Sequence, residues 1–369
     1  MSAGVLRIGV DARELLGDAT GVGRYLAELL KRWTARADAN DRRFVLFAPA
    51  AITLPLPASV VETRVLSAPH GGTWWEQTAL RRAAAREPLD VFFAPAYTAP
   101  LGLSVPLALT IHDVSYLAHP EWFRPRERWR RRWLTRRSAR TAAVVLTDSA
   151  FSRDEIARHI PFDPARIRVI PPGVTPRHRG PRTADASRPL VLFVGTLLNR
   201  RRLPQLIDAF AIANADLPPA RLAIVGADRT WPAQDLRAAA ERAGVAGCVE
   251  LRRYASDDEL ASLYGEASVF VFLSEYEGFG LTPLEALAAG VPIVVLDTPI
   301  AREVYGPAAT YVRPDAPARE IAEPIQAALK GEPGARQPLS AASSILARYS
   351  WDDAAKRTLE AIEEAARAR

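Results

Sequence analysis

The stretch Ala267–Leu296 constrains the fold of this 369-residue chain more than any other part. It begins and ends with apolar runs rich in β-branched and aromatic residues, Val269–Leu273 and Val291–Leu296, which predict two buried strands. A glycine-containing loop and a helical pattern separate them. Because strand, loop and helix in this order indicate a parallel α/β sheet, we expect Ser274–Leu281 at the carboxyl edge, where such sheets bind ligands. Backbone amides at the start of the helix suit a phosphate or a polar sugar.

Two carboxylates mark this stretch. Thr282 has the position of an N-cap and Gly290 that of a stop, which predicts a helix over about Pro283–Ala289. Glu285 stands three residues after Thr282, so it either closes a capping box or contacts a ligand. Glu277 lies in the loop, where no helix needs a cap. It is either a ligand contact or a solvated carboxylate.

The segment SEYEGFGLTPLEALAAGVPIVV contains both glutamates and resembles the E-x7-E signature of the retaining, nucleotide-sugar-dependent glycosyltransferases of family 4. The resemblance implies α/β architecture with the GT-B fold, in which two Rossmann-like, doubly wound parallel-sheet domains face a cleft. It also implies that Glu277 lies against the donor sugar as a catalytic residue, together with Gly278 and Phe279. Glu285 would accept hydrogen bonds from the ribose hydroxyls. The backbone of Gly280, Leu281 and Thr282 would hold the diphosphate.

The length and the 49% apolar and 24% charged content are typical of a soluble globular protein with two domains. We expect an acceptor-side N-terminal domain over residues 1–172, a Pro/Gly/Arg-rich linker over 173–188 and a nucleotide-sugar-binding domain over 189–349. In the family, the counterpart of the tail 350–369 returns to the first domain and completes it. We expect no signal peptide and no membrane span, and the single cysteine excludes an intrachain disulfide, so the expected location is the cytoplasm.

A glycine turn follows the first predicted strand. Its glycines come too late after the strand for a dinucleotide fingerprint, so we expect no NAD site. The turn resembles the N-terminal glycine loop of the family, which implies that Gly23 lies near the donor diphosphate and that Gly21, Arg24 and Tyr25 lie on the acceptor side. An ordinary turn before a helix is the alternative.

His112 follows another apolar run, Leu107–Ile111, again at the expected carboxyl edge of a strand. A histidine in this position either donates to a sugar hydroxyl or leaving group, with Asp113 orienting its ring, or satisfies backbone groups. In the family this histidine-acid pair faces the donor across the cleft. The resemblance therefore implies a catalytic, donor-sugar role for His112.

The first loop of the second half is basic. In the family this turn carries an Arg-Lys pair that clamps the donor diphosphate, and here Arg200 takes the arginine place and Arg201 the lysine place. The exchange matters because a compact ammonium and a planar guanidinium differ in geometry. A solvated basic loop is the alternative. Arg252 and Tyr254 lie in the turn that borders the nucleotide base in the family.

The segment Glu121–Arg140 holds nine arginines, interspersed with tryptophans that include Trp129 and Trp133. It predicts either a basic amphipathic helix on an anionic membrane surface or an ordinary surface helix whose tryptophans face the core. We expect no nucleic-acid binding, since no recognised fold or aromatic platform accompanies the charge. Residues 1–175 contain 25 Lys and Arg against 17 Asp and Glu, so the first half is basic.

The resemblance implies a retaining, metal-independent hexosyltransferase. The motifs VDARELL, GVGRYL and TIHDVSYLAHPEWF resemble the mannosyltransferase-type members that build bacterial surface polysaccharides, so GDP-mannose is the favoured donor. A glycan or lipid-linked saccharide is the expected acceptor, which suits a peripheral position on the inner membrane face. A UDP-sugar-dependent glucosyl or N-acetylhexosaminyl transferase is the second candidate. A phosphorylase, an epimerase and a non-catalytic sugar-nucleotide-binding partner subunit are further alternatives. The sequence does not predict an oligomeric state.

Overall fold

The computed structural model describes residues 5–17, 20–177, 180–183, 185, 187–215 and 220–367. Residues 178, 179, 184 and 186 of the predicted linker, and 368 and 369 of the predicted tail helix, lie outside this range. The chain forms two compact units. The first consists of Met1–Ala118, Pro125–Gly173 and Tyr349–Arg369, and the second of His119–Arg124 and Val174–Arg348.

The first unit is built on a seven-stranded sheet whose strands all pair in parallel. In chain order the strands are β1 (Leu6–Asp11), β2 (Arg42–Ala48), β3 (Val61–Val65), β4 (Val91–Ala94), β5 (Leu107–Thr110), β6 (Ala142–Thr147) and β7 (Ile167–Val169). Their order in the sheet is β3-β2-β1-β4-β5-β6-β7, so the direction of winding reverses between β1 and β4. The helices are α1 (Gly21–Ala35), α2 (Gly72–Trp75), α3 (Arg81–Ala84), α4 (Ser115–Ala118), α5 (Pro125–Thr141) and α6 (Ala150–His159).

The second unit contains a six-stranded parallel sheet. Its strands are β8 (Leu190–Val194), β9 (Arg221–Val225), β10 (Val249–Arg252), β11 (Ala267–Phe272), β12 (Ile293–Leu296) and β13 (Thr310–Val312), in the sheet order β10-β9-β8-β11-β12-β13. The reversal lies between β8 and β11. The helices are α7 (Leu203–Asn214), α8 (Leu236–Arg242), α9 (Asp257–Glu266), α10 (Leu281–Ala288), α11 (Pro299–Tyr305), α12 (Ala318–Leu329), α13 (Pro333–Arg336) and α14 (Ala342–Leu346).

Both faces of the first sheet are covered. In β2, Phe44 and Leu46 belong to one buried apolar cluster, whereas the alternating Val45 and Phe47 belong to the other. Successive side chains of a strand point to opposite faces, so this division requires a core on each side of the sheet. The α/β class with two parallel-sheet units, predicted from the sequence, is confirmed.

The last helix, α15 (Trp351–Arg367), belongs to the first unit although it is last in the sequence. Trp351 and Ile362 are buried in the same cluster as Ile8 of β1. The Trp33 indole of α1 donates to the carbonyl oxygen of Ala355 at 2.7 Å. The first core is therefore closed by residues from both ends of the chain. In the described part of the chain, no helix is both long and apolar enough for a membrane crossing.

We expect Gly173→Ala to destabilise the first unit. A Cβ atom at Gly173 would lie 2.2 Å from the backbone nitrogen of Trp351, so α15 would have to move. Overpacking of this kind lowers the free energy of unfolding by about 1–3 kcal/mol. Gly247→Ala is the control, because a Cβ there meets nothing within 4 Å. Equal denaturation midpoints for the two variants would contradict this packing.

Candidate functional site

Two loops meet at the reversal point of the second sheet. β8 and β11 are neighbouring parallel strands, so their carboxyl ends lie at one edge. The loop after β8 leads to the short 3₁₀ turn Asn199–Arg201, and the loop after β11 contains Ser274–Gly280. The amide of Glu275 donates to the carbonyl oxygen of Arg200 at 2.9 Å and ties the loops together. In open α/β sheets this edge is the usual place for a ligand.

The carboxylate of Glu277 is held by side chains from both loops. Nε of Arg201 donates to Oε1 at 3.1 Å, and Nη2 of Arg200 forms an ion pair with Oε2 at 3.5 Å. The Ser274 hydroxyl donates to Oε1 at 2.8 Å. Glu277 is only 9% exposed and Arg200 is buried as well. The alternatives of a solvated carboxylate and a solvated basic loop are therefore wrong.

The cluster of Glu277, Arg200 and Arg201 carries one net positive charge, because two guanidinium groups face one carboxylate. Burial is the largest cause acting on Arg201 and lowers the pKa of its guanidinium; Glu277 opposes this and Arg200 adds to it. The Arg201 guanidinium also lies 5.1 Å from the centre of the Phe272 ring, within the range of a cation–π contact. An excess of buried positive charge favours binding of an anion.

α10 follows Glu277 in the sequence. It begins at Leu281, two residues before the predicted start at Pro283. Gly280 occupies the N-cap position with a left-handed φ of +92°, and the Tyr305 hydroxyl donates to its carbonyl oxygen at 3.0 Å. A Cβ at Gly280 would lie 2.1 Å from that hydroxyl oxygen, so the position requires glycine. Thr282 is thus inside the first turn, and its predicted N-cap role is wrong. Amides in a first helical turn have no partner within the helix.

Glu285 does not form the capping box that the sequence offered as an alternative. Its carboxylate is 4% exposed; Nε of Arg177 donates to Oε1 at 3.1 Å and the Tyr264 hydroxyl to Oε2 at 3.3 Å. Burial raises the pKa of Glu285, whereas Arg177 and Tyr264 act to lower it. The contact of Glu285 with a ribose stays a prediction.

The other expected donor residues lie in different settings. Gly278 and Phe279 are buried in the loop after β11. Arg252, at the end of β10, donates to Glu250 at 2.6 Å, and Tyr254 is exposed. β10 is an edge strand, two strands away from β8. The base-binding roles of Arg252 and Tyr254 stay predictions.

In the first unit, His112 is held through both ring nitrogens. Nδ1 lies 2.7 Å from Oδ2 of Asp148 and Nε2 lies 3.0 Å from the carbonyl oxygen of Pro95. Both partners are acceptors, so the ring fits its doubly protonated, charged form. Burial opposes that charge, but Asp148 and the Pro95 carbonyl outweigh it and raise the pKa of His112. The predicted orienting role of Asp113 is wrong, because Asp113 instead accepts hydrogen bonds from Ser115 at 3.0 and 2.8 Å.

The glycine turn at the start of α1 contains two buried residues, Gly23 and Tyr25. Tyr25 is 3% exposed and meets the His112 ring edge-on at 5.2 Å, and its acceptor-side role stays a prediction. The amide of Gly23 donates to the Thr20 hydroxyl at 2.9 Å, and a Cβ at Gly23 would lie 2.3 Å from the carbonyl oxygen of Glu14. Gly23 is thus needed for close packing, and its position near a donor diphosphate stays a prediction. Gly21 is exposed and Arg24 half-buried.

Two sequence profiles of known families match the chain. The profile of Glycosyltransferase Family 4 matches residues 19–178, and that of Glycosyl transferases group 1 matches residues 174–344. The chain belongs to the family 4-like glycosyltransferases.

Individual relatives agree with this assignment. The glycosyltransferase is 27% identical to O-antigen chain mannosyltransferase B of Escherichia coli over 374 residues, which cover 93% of the chain and 96% of the relative. It is 34% identical to the GDP-mannose:cellobiosyl-diphosphopolyprenol alpha-mannosyltransferase of Komagataeibacter xylinus over 212 residues, or 56% and 52% of the two chains. The crystal structure of WaaG, a glycosyltransferase involved in lipopolysaccharide biosynthesis, matches with a TM-score of 0.78 at 17% identity, covering 97% and 99%. The GT-B fold is thereby shown.

The basic helix α5 of the glycosyltransferase exposes its tryptophans. Trp129 is 68% and Trp133 43% exposed, whereas Leu134 and the small residues Thr135 and Ser138 are buried. The expectation that the tryptophans face the core is wrong. Small residues allow the helix to approach the sheet closely, which leaves the large rings on the outer side.

The structure adds polar residues that the sequence patterns did not single out. Ser274 was detectable, since it lies three residues before Glu277, but Tyr305, Asp148 and Arg177 are far from their partners in the sequence.

A further cluster lies at the reversal point of the first sheet, where Arg13 pairs with Asp11 at 2.9 Å and with Glu76 at 2.8 Å. Burial raises the pKa of Asp11 to about 6, although Arg13 acts to lower it. Among the described residues, no group of three His, Cys, Asp or Glu side chains is placed to hold a metal ion.

We expect Asp148→Asn to lower the pKa of His112, because Asp148 supplies the main attraction that stabilises the charged ring. In the wild type, the stabilisation from charged His112 is complete below the ordinary histidine pKa of about 6.5 and is lost as pH rises through the raised value. The variant should therefore show a weaker dependence of unfolding free energy on pH. Titration of the histidine ring signals by NMR measures the change directly. Asp113→Asn is the control, and a larger shift there would contradict the assignment.

Proposed function

We propose that this glycosyltransferase transfers mannose from GDP-mannose to a glycan or lipid-linked saccharide, with retention of configuration at the anomeric carbon. The observation that carries the proposal is the buried carboxylate of Glu277, held between Arg200 and Arg201 at the reversal point of the second sheet. The mannosyltransferase relatives support mannose as the sugar and surface polysaccharide synthesis as the setting. The GDP-mannose named for the Komagataeibacter xylinus enzyme supports the choice of donor.

The donor diphosphate is assigned to the positive side of this cluster. Arg200 and Arg201 together exceed the charge of Glu277, and the first-turn amides at Leu281 and Thr282 supply further donors. Fixed donors of this kind stabilise the charge that develops on a leaving diphosphate without reorganising during the reaction. The proposal therefore gives the neutralising role to side chains and backbone, with no metal ion.

Glu277 is assigned to the sugar. Retention through a covalent intermediate uses one carboxylate as nucleophile and a second close by as acid and base. Glu285 is engaged by Arg177 and Tyr264, which makes it a poor second group. We therefore favour attack by the acceptor hydroxyl on the face that the diphosphate leaves, with Glu277 stabilising positive charge on the sugar.

His112 of the first unit is proposed to bind the donor sugar, with Nε2 donating to a sugar hydroxyl in place of the Pro95 carbonyl oxygen. Asp148 favours the charged form of the ring, and a charged donor forms stronger hydrogen bonds than a neutral one. Gly21 and Arg24, at the start of α1, are proposed for the acceptor side. The buried Tyr25 packs edge-on against the His112 ring, between this segment and the histidine.

A transfer assay tests the proposed function. Purified protein with GDP-mannose and a lipid-linked saccharide should yield a mannosylated product, with UDP-glucose as the comparison donor. Glu277→Ala should lower turnover by about 100-fold or more, the order found when a group that stabilises the transition state is removed. Glu266→Ala, which breaks a surface pair with Arg221, is the control. Turnover of Glu277→Ala at the wild-type rate would remove Glu277 from the mechanism, and preference for UDP-glucose would favour the second candidate.

We also propose that α5 contacts an anionic membrane surface. Trp129 and Trp133 are exposed on a helix with many arginines, and tryptophan is favoured at membrane interfaces while arginine is attracted by anionic lipid. Contact with the membrane would suit a lipid-linked acceptor.

Co-sedimentation with vesicles tests this contact. We expect binding to phosphatidylglycerol vesicles at low salt, weaker binding as salt screens the charges, and little binding to phosphatidylcholine vesicles. Replacing Trp129 and Trp133 together by serine should reduce binding several-fold. Trp74→Ser removes an exposed tryptophan elsewhere in the first unit and serves as the control. Equal losses in both variants would show that α5 is not the contact.

A further inference from the structure

Arg177 joins two carboxylates of the second unit. Its Nε donates to Oε1 of Glu285 at 3.1 Å, and its Nη1 donates to Oδ1 of Asp257 at 2.5 Å. Asp257 opens α9 at the surface, whereas Glu285 is buried in the first part of α10. The guanidinium therefore extends from the surface to a buried acid, and its own side chain is largely buried on the way.

Glu285 requires such a partner. Burying an isolated carboxylate without partners is unfavourable enough that the group normally takes up a proton. The Tyr264 hydroxyl, which is itself buried, reaches the second oxygen and helps to hold the group. A neutral hydroxyl orients a carboxylate but cannot balance its charge, whereas the guanidinium does both.

A ribose contact places a specific demand on Glu285. To accept hydrogen bonds from ribose hydroxyls most strongly, the group must be ionised, because a carboxylate has acceptors only and its hydrogen bonds are charge-assisted, whereas a neutral carboxyl uses one oxygen as a donor. A carboxylate accepts about four hydrogen bonds, so bonds from Arg177 and Tyr264 are compatible with further bonds from a ligand.

We propose that Arg177 is a positioning residue that keeps the Glu285 carboxylate charged and correctly oriented for the ribose of the nucleotide sugar. The inference rests on the proposed function and deepens it, since it names a residue through which the donor is recognised without contact. A planar guanidinium suits this role because it presents donors in two directions at once, toward Glu285 and toward Asp257. No pattern in the sequence predicts the pairing, because Arg177 and Glu285 are 108 positions apart and Arg177 lies outside the helices and strands.

The donor KM measured as a function of pH tests the proposal. In the described part of the chain, the titratable and charged groups that act on Glu285 include Arg177, Tyr264 of α9 and, beyond Arg177, Asp257. In the wild type, KM should rise as pH falls through the raised pKa of Glu285. Without Arg177, that pKa rises further, so in Arg177→Ala the increase in KM begins at higher pH. At pH 7 we expect a donor KM about tenfold higher, the size typical of a lost hydrogen bond to a charged group.

Three further variants make the test specific. Arg177→Lys keeps the charge and should restore most of the wild-type pH profile, whereas Arg177→Gln keeps a hydrogen-bond donor without charge and should not. Arg182→Ala is the matched control, since Arg182 comes from the same part of the chain but donates to the carbonyl oxygens of Ala267 and Ala289. It should leave the pH profile of the donor KM unchanged. If Arg177→Ala does not fold, the comparison of Arg177→Lys with Arg177→Gln still tests the charge, because both variants keep a long side chain that fills the space.

The outcomes are distinguishable. A wild-type pH profile in Arg177→Gln shows that the charge of Arg177 is not needed and overturns the positioning role. Tighter donor binding when Arg177 is removed also overturns it, because Arg177 would then occupy the place of the donor. A profile shifted equally by Arg177→Ala and Arg182→Ala indicates a general structural effect and also overturns it. If the wild type neither turns over a nucleotide sugar nor is stabilised by one in thermal denaturation, the proposed function fails first.

Discussion

The pairing of Glu277 with Arg200 and Arg201 is the interaction on which the second unit's candidate site depends. Charged groups lose several kcal/mol of hydration when buried, so each of the three is tolerated there because the others compensate it. The same contacts hold the loops after β8 and β11 together. Those loops lie at the reversal point of the sheet, so the contacts that compensate the buried charges also fix the geometry of the candidate site.

Both units concentrate charge at the reversal points of their sheets, but with opposite balance. In the second unit two arginines face Glu277, and the excess is positive. In the first, Arg13 faces both Asp11 and Glu76, and the excess is negative. The described charges therefore sum to a positive cluster at one sheet edge and a negative cluster at the other.

Local patterns predicted what local interactions determine. The apolar runs of Ala267–Leu296 correspond to β11 and β12, and the parallel arrangement follows from the strand–helix order. The start of α10 was not predictable, because the left-handed Gly280 is fixed by Tyr305, which lies 25 residues away. The same holds for the His112 ring, which pairs with Asp148 rather than its neighbour Asp113. Sequence reasoning thus identified Glu277, Arg200 and Arg201 but not the residues that orient the site from a distance.

The way the chain is divided has a consequence for recombining such enzymes. Neither compact unit is one continuous stretch: the first is assembled from three segments and the second from two. A hybrid that takes everything after Gly173 from another parent would also import a foreign α15, and with it the side chains that pack against Ile8 in the first core. Exchange of substrate specificity by swapping halves therefore demands crossovers at residues 118, 124, 173 and 348.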